Sequence, residues 1–121
     1  MKSKKKQNSN IVLSLTDTEH SAVIQALDFL MHCENFSYTD AKITYDTVMI
    51  ASEKLDSGEF CLTRGQFRAC IIAVKESVSR LSGGPEEYTD VATTFPDLIP
   101  DIKESLPVLV QLLPHLRAKL S

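Results

Sequence analysis

The chain has 121 residues, of which 43% are hydrophobic and 24% charged, and its formal net charge is −3. This length predicts one domain with a core of its own, and this composition excludes a disordered chain. No apolar run approaches the roughly 20 residues that a membrane-spanning helix needs, so we expect no membrane span.

The three cysteines, Cys33, Cys61 and Cys70, stand at unrelated spacings. They form neither a disulfide framework nor a C-x-x-C metal or redox motif. We therefore expect free thiols and a reducing, cytoplasmic compartment.

Residues 1–9 have little apolar content and predict a flexible basic tail, followed by a single helical domain over 10–121. Lys2, Lys4, Lys5 and Lys6 hold four of the 13 basic residues, which leaves nine basic residues against 16 acidic ones in the rest of the chain. Such an acidic body repels polyanions, so any nucleic-acid contact must be local.

Two segments, 15–27 and 62–74, share Leu, Thr, Ala, Ile and Ala in the same register. Each includes or follows a short extended stretch, near 10–15 in the first copy and near 59–62 in the second. Thr16 stands three residues before Glu19, and Thr63 stands three residues before Gln66. That spacing predicts a capping box, and hence a helix start, at the same point of both copies.

After both caps, apolar residues recur at helical spacing, which predicts helices to about Cys33 and about Ser82. A further helix is expected from about Thr39 to Asp56, with Gly58 as its left-handed stop. Its inward face is predicted to consist of Ala41, Tyr45, Val48, Ser52 and Leu55.

The segment after Pro85 should match that further helix poorly, because Pro96 and Pro100 limit it to two short helical turns. We interpret 10–57 and 58–104 as an internal repeat of two pseudo-twofold-related β-α-α units, whose short strands pair antiparallel. The alternative is two generic amphipathic helices with good caps.

The carboxy-terminal segment has leucines at intervals of three and four residues, which predicts a helix over 105–120. Ser105 would cap it, Pro107 would fall in its first turn, and Pro114 would kink it. Its broad apolar stripe is a candidate partner surface, formed by Leu98, Val108, Leu109, Leu112, Leu113 and Leu116.

These elements together predict a mainly α fold with minor β structure, a helical bundle of about five helices closed by a kinked carboxy-terminal helix.

Arg64, Arg68 and Lys75 fall within about 40° of one another around their helix, at 100° per residue. They are candidate anion contacts, facing either phosphates or an acidic partner. The alternative is a solvated helix face whose cations pair with acids of a neighbouring helix.

His32 and Cys33 are the densest pair of metal-ligand side chains, but adjacent helical residues point about 100° apart and cannot hold one ion alone. The sequence lacks the common nucleophile, zinc-protease and phosphate-loop motifs. We therefore predict no catalytic, cofactor or metal residues, and we favour a non-catalytic protein over an enzyme.

Three functional hypotheses follow. The first is a small interaction or regulatory protein that binds a protein partner or itself, as a homodimer, through the apolar carboxy-terminal helix. The second is a nucleic-acid-associated regulator that uses the tail lysines with Arg64, Arg68 and Lys75. The third is a small enzyme or metal protein built on His32 and Cys33.

Overall fold

The computed structural model describes residues 10–34, 36–38 and 42–120. Over these residues the chain is a bundle of five α-helices with one short two-stranded ribbon, as predicted. In chain order the elements are β1 (Ile11–Val12), α1 (Asp17–Met31), α2 (Tyr45–Asp56), β2 (Cys61–Leu62), α3 (Arg64–Leu81), a 3₁₀ turn (Pro85–Glu87), α4 (Thr89–Thr94) and α5 (Leu98–Leu120).

The ribbon is antiparallel, which confirms the predicted strand pairing. Ile11 lies opposite Leu62, and Val12 lies opposite Cys61. Leu13 and Leu62 are buried in the core of the bundle. A ribbon this short is marginal by itself, so these two side chains anchor it to the helices.

Both predicted capping boxes are present. The Thr16 hydroxyl accepts from the Glu19 amide at 3.2 Å, and the Glu19 carboxylate accepts from the Thr16 amide at 3.0 Å. Thr63 and Gln66 repeat the arrangement at 3.1 and 3.0 Å. Both copies therefore begin with the same strand, cap and helix, while their duplication as units 10–57 and 58–104 stays a prediction.

Helix α2 begins at Tyr45. The predicted start near Thr39 was wrong for residues 42–44, which the structure describes and which are not helical. Lys42 has a positive φ of 62°, which lies in the left-handed region and is not α-helical. Thr44 is extended, and its hydroxyl accepts from the Thr47 amide at 3.1 Å, which fixes the start. Tyr45 is therefore a first-turn residue with 47% of its surface exposed and not part of the inward face.

The other end of α2 and the segment after α3 agree with the predictions. Gly58 has a φ of 89° and ends α2 in the left-handed region. After Pro85 the chain forms the 3₁₀ turn and the six-residue α4. Thr39 and Ala41, which the prediction also assigned to α2, lie outside the described residues.

Helices α1, α3 and α5 each pack against the other two, and α2 covers α1 and α3. Their shared core is aliphatic with two phenylalanines, Phe29 and Phe67, at its centre. None of the described helices combines the length and the hydropathy needed to cross a bilayer.

Helix α5 begins at Leu98, so the start predicted at Ser105 was wrong. Leu98 and Ile102 are buried and continue the inward stripe. The Ser105 hydroxyl donates to the Gln25 side chain of α1 at 2.7 Å instead of capping a helix. The helix then continues through Pro107 and Pro114, and the kink at Pro114 stays a prediction.

Candidate interaction surfaces

The predicted leucine surface of α5 lies mainly inside the bundle. Four of its six members are buried, namely Leu98, Leu109, Leu112 and Leu116. Val108 and Leu113 are half-buried at its two edges. This stripe holds α5 against α1 and α3, so a partner can reach only its edges in the folded chain.

The outer side of α5 carries a different set of apolar side chains. Val110 is 50% exposed. Pro100, Pro107 and Pro114 are exposed and seven residues apart, so they lie in one line along the helix. Because a proline has no amide hydrogen, the carbonyls of Lys103 and Val110 lose their ordinary donors four residues on.

Charged side chains are ordered along a different edge of α5, on the side away from Val110. Asp101 and Glu104 stand in the first half of α5, whereas His115 and Lys119 stand in its second half. At 100° per residue these four positions lie within about 60° of one another. One edge of the helix therefore runs from acidic to basic along its length.

Helix α3 presents the basic row that the sequence predicts. Arg64, Arg68 and Lys75 are all exposed. The Arg64 guanidinium donates to the Leu120 carbonyl at 3.0 Å, so the start of α3 meets the end of α5. Arg68 and Lys75 have no hydrogen bond or ion pair with any residue that the structure describes.

The other predicted anion contacts are Lys2, Lys4, Lys5 and Lys6. They lie outside the described residues.

His32 and Cys33 point to different partners. His32 Nδ1 lies 2.8 Å from the Asp28 carbonyl oxygen, and the imidazole stacks on Phe95 with the ring centroids 4.7 Å apart. The Cys33 thiol donates to the Phe29 carbonyl at 3.2 Å. Over the described ranges, no group of three or more His, Cys, Asp or Glu side chains is arranged to hold a metal ion.

Burial controls the chemistry of two of the three thiols. It raises the pKa of Cys33 to about 12 and that of Cys70 to about 12. Both are therefore thiols at neutral pH and poor nucleophiles. Cys61 is exposed on the ribbon, beside the Lys54 ammonium that donates to its carbonyl at 3.3 Å.

A small open cleft of about 240 Å³ lies between the start of α1 and the second half of α5. It is lined by Thr16, Thr18, Glu19, Val108, Gln111 and His115. The sequence gives no signal for this cleft, because its two walls are far apart in the chain and only packing of α5 on α1 brings them together.

Similarity to known proteins gives no indication of function, so function is argued from the fold and from these surfaces. No protein-family model, no curated protein and no solved structure matches the chain.

Proposed function

We propose that this chain is a small non-catalytic interaction protein that associates with a second copy of itself through the outer side of α5. The observation that carries this proposal is the exposure of Val110 on a helix whose other large apolar side chains are buried or half-buried. The proline line beside Val110 makes this outer side apolar over much of its length.

A twofold axis at Val110 would make the two copies of α5 antiparallel and bring their Val110 side chains together. Lys103 and Arg117 are each seven residues from Val110, and at 100° per residue both lie within about 20° of it around the helix. They therefore flank Val110 on the same side of α5. Asp101 and Lys119 lie about 180° from Val110 and stay outside this contact.

In this arrangement Lys103 would approach the partner's Arg117, and both are cations. In the monomer the Lys103 ammonium lies 5.1 Å from the Tyr88 ring centroid, which holds it towards its own chain. We therefore expect apolar contact at Val110 and the proline line to drive association, against a charge repulsion that added salt weakens.

Two further observations support a non-catalytic role in a reducing compartment. The buried thiols of Cys33 and Cys70 are protonated at neutral pH, and all three cysteines are free. Free thiols are typical of cytoplasmic proteins, so we include a cytoplasmic location in the proposal.

A charge-swap experiment tests the arrangement. Arg117→Glu alone should strengthen self-association, because the introduced carboxylate would face the partner's Lys103 in place of a cation. Adding Lys103→Glu to the same chain should weaken it again, because like charges then face each other. Association measured by sedimentation at low salt should follow that order, and an Arg117→Glu variant that associates no more strongly than the unmodified chain would contradict the antiparallel register.

A further inference from the structure

Helix α3 has an exposed face that is basic and lacks acids. Arg64, Arg68 and Lys75 lie on one arc of about 40°. Glu76 is the one acidic residue of α3, and its carboxylate is held by Arg80 at 3.2 Å. The positive charge of this face is therefore not neutralised by its own helix.

Neighbouring helices do not neutralise it either. Arg64 is bound to a backbone carbonyl, and neither Arg68 nor Lys75 pairs with an acid anywhere in the described part of the chain. The described ion pairs involve other cations, Lys54 and Arg80. The interpretation of this row as a face that pairs with a neighbouring helix therefore has no contact to support it.

The spacing of the three cations fits a helical partner. Along the axis of α3, Arg64 and Arg68 are about 6 Å apart, and Arg68 and Lys75 are about 10 Å apart. A parallel helix with carboxylates at positions 1, 5 and 12 repeats these intervals. Ile72 is half-buried at the edge of the row and offers such a helix an apolar contact.

We infer that the exposed face of α3 docks a short acidic helical segment of a partner protein, with Arg64, Arg68 and Lys75 as its carboxylate contacts. Charge complementarity selects this occupant over a nucleic acid. Outside the basic tail the chain has nine basic residues against 16 acidic ones, so a long polyanion would pass from the row onto repelling surface. A segment of three or four turns ends where the row ends.

The test uses a fluorescent helical peptide of about 16 residues with glutamates at positions 1, 5 and 12, and measures its binding to the full chain by anisotropy. Binding should weaken with added salt and should be lost when the three glutamates are replaced by glutamine. The variant Arg68→Glu with Lys75→Glu should bind the peptide at least about tenfold more weakly. Its circular dichroism should not change, because both side chains are exposed.

A matched control separates the row from net charge. Arg68→Glu and Lys42→Glu each change the net charge by the same amount, and Lys42 is an exposed residue outside the row. Lys42→Glu should bind within about threefold of the unmodified chain, whereas Arg68→Glu should bind more weakly. Equal losses in these two single variants, or equal binding of the glutamine peptide, would overturn the proposal. Tighter binding of an oligothymidylate of the same length would also overturn it and would assign the row to phosphates.

Discussion

Ser77 is fully buried on α3, and its hydroxyl has no hydrogen-bond partner. Among the buried side chains that the structure describes, no other has a polar atom without a partner. The unpaired hydroxyl has lost its water without a replacement, which lowers the stability of the fold. Ser77→Ala should therefore raise the free energy of unfolding by about 1 kcal/mol beyond the gain in helix propensity.

Chemical denaturation of Ser77→Ala and Ser79→Ala measures this effect. Ser79 is exposed on the same helix, so both variants share the propensity gain and only Ser77→Ala relieves burial. Equal gains in the two variants would show that the Ser77 hydroxyl is satisfied in solution.

Asp28 makes the stability of the fold depend on pH. Partial burial raises the pKa of its carboxyl above the ordinary value of 3.8, the nearby Asp56 carboxylate raises it further, and His32 opposes both. The folded state thus favours the protonated acid, and this contribution to stability is present below the ordinary pKa. It is lost as the pH rises through the raised pKa.

Asp28→Asn should consequently be more stable than the unmodified chain at pH 7, and the gain should disappear as the pH falls below 3.8. Urea unfolding of both chains across that pH range gives the comparison. A gain for Asp28→Asn that stays constant over the whole range would contradict the account.

At the scale of elements, the two prolines inside α5 each remove a backbone hydrogen bond. Pro107→Ala would supply an amide hydrogen to the Lys103 carbonyl and remove the ring that crowds it, so it should stabilise the chain by about 1–3 kcal/mol. Pro100→Ala should change stability little, because Pro100 lies in the first turn, where the amide has no intrahelical acceptor. Thermal or urea unfolding that ranks Pro100→Ala above Pro107→Ala would contradict this.

The sequence was sufficient to predict helix starts that depend only on residues close to them in the chain. Thr16 and Thr63 each satisfy amides within three residues, so their capping boxes and the two helix starts could be predicted. The start of α2 was predicted too early, because the helical spacing of its apolar residues extends back to Ala41, whereas the left-handed backbone at Lys42 precedes the cap at Thr44. The start of α5 was missed because Ser105 has the local pattern of a cap, whereas packing of Leu98 and Ile102 in the core extends the helix past it.

At the scale of the whole molecule, the candidate site was predicted only in part. A wide leucine stripe signals burial but does not tell whether a partner or the chain itself covers it. In this fold α5 packs on both α1 and α3, and those two neighbours account for the width of the stripe. The alignment of Arg64, Arg68 and Lys75 follows from helical spacing, whereas their lack of ion pairs with described residues depends on how the other helices pack.

The molecule therefore has an inner leucine stripe that holds α5 in the bundle and an exposed outer side of α5, to which we propose that a second copy binds. Sedimentation of the purified full chain over a range of concentrations tests this division most directly. The mass should rise from monomer towards dimer for the unmodified chain and for Ile50→Asp, a control at a 40% exposed residue of α2. Val110→Asp should stay monomeric with the same helical content, whereas a monomeric unmodified chain at every concentration, or a Val110→Asp variant that still dimerises, would contradict the account.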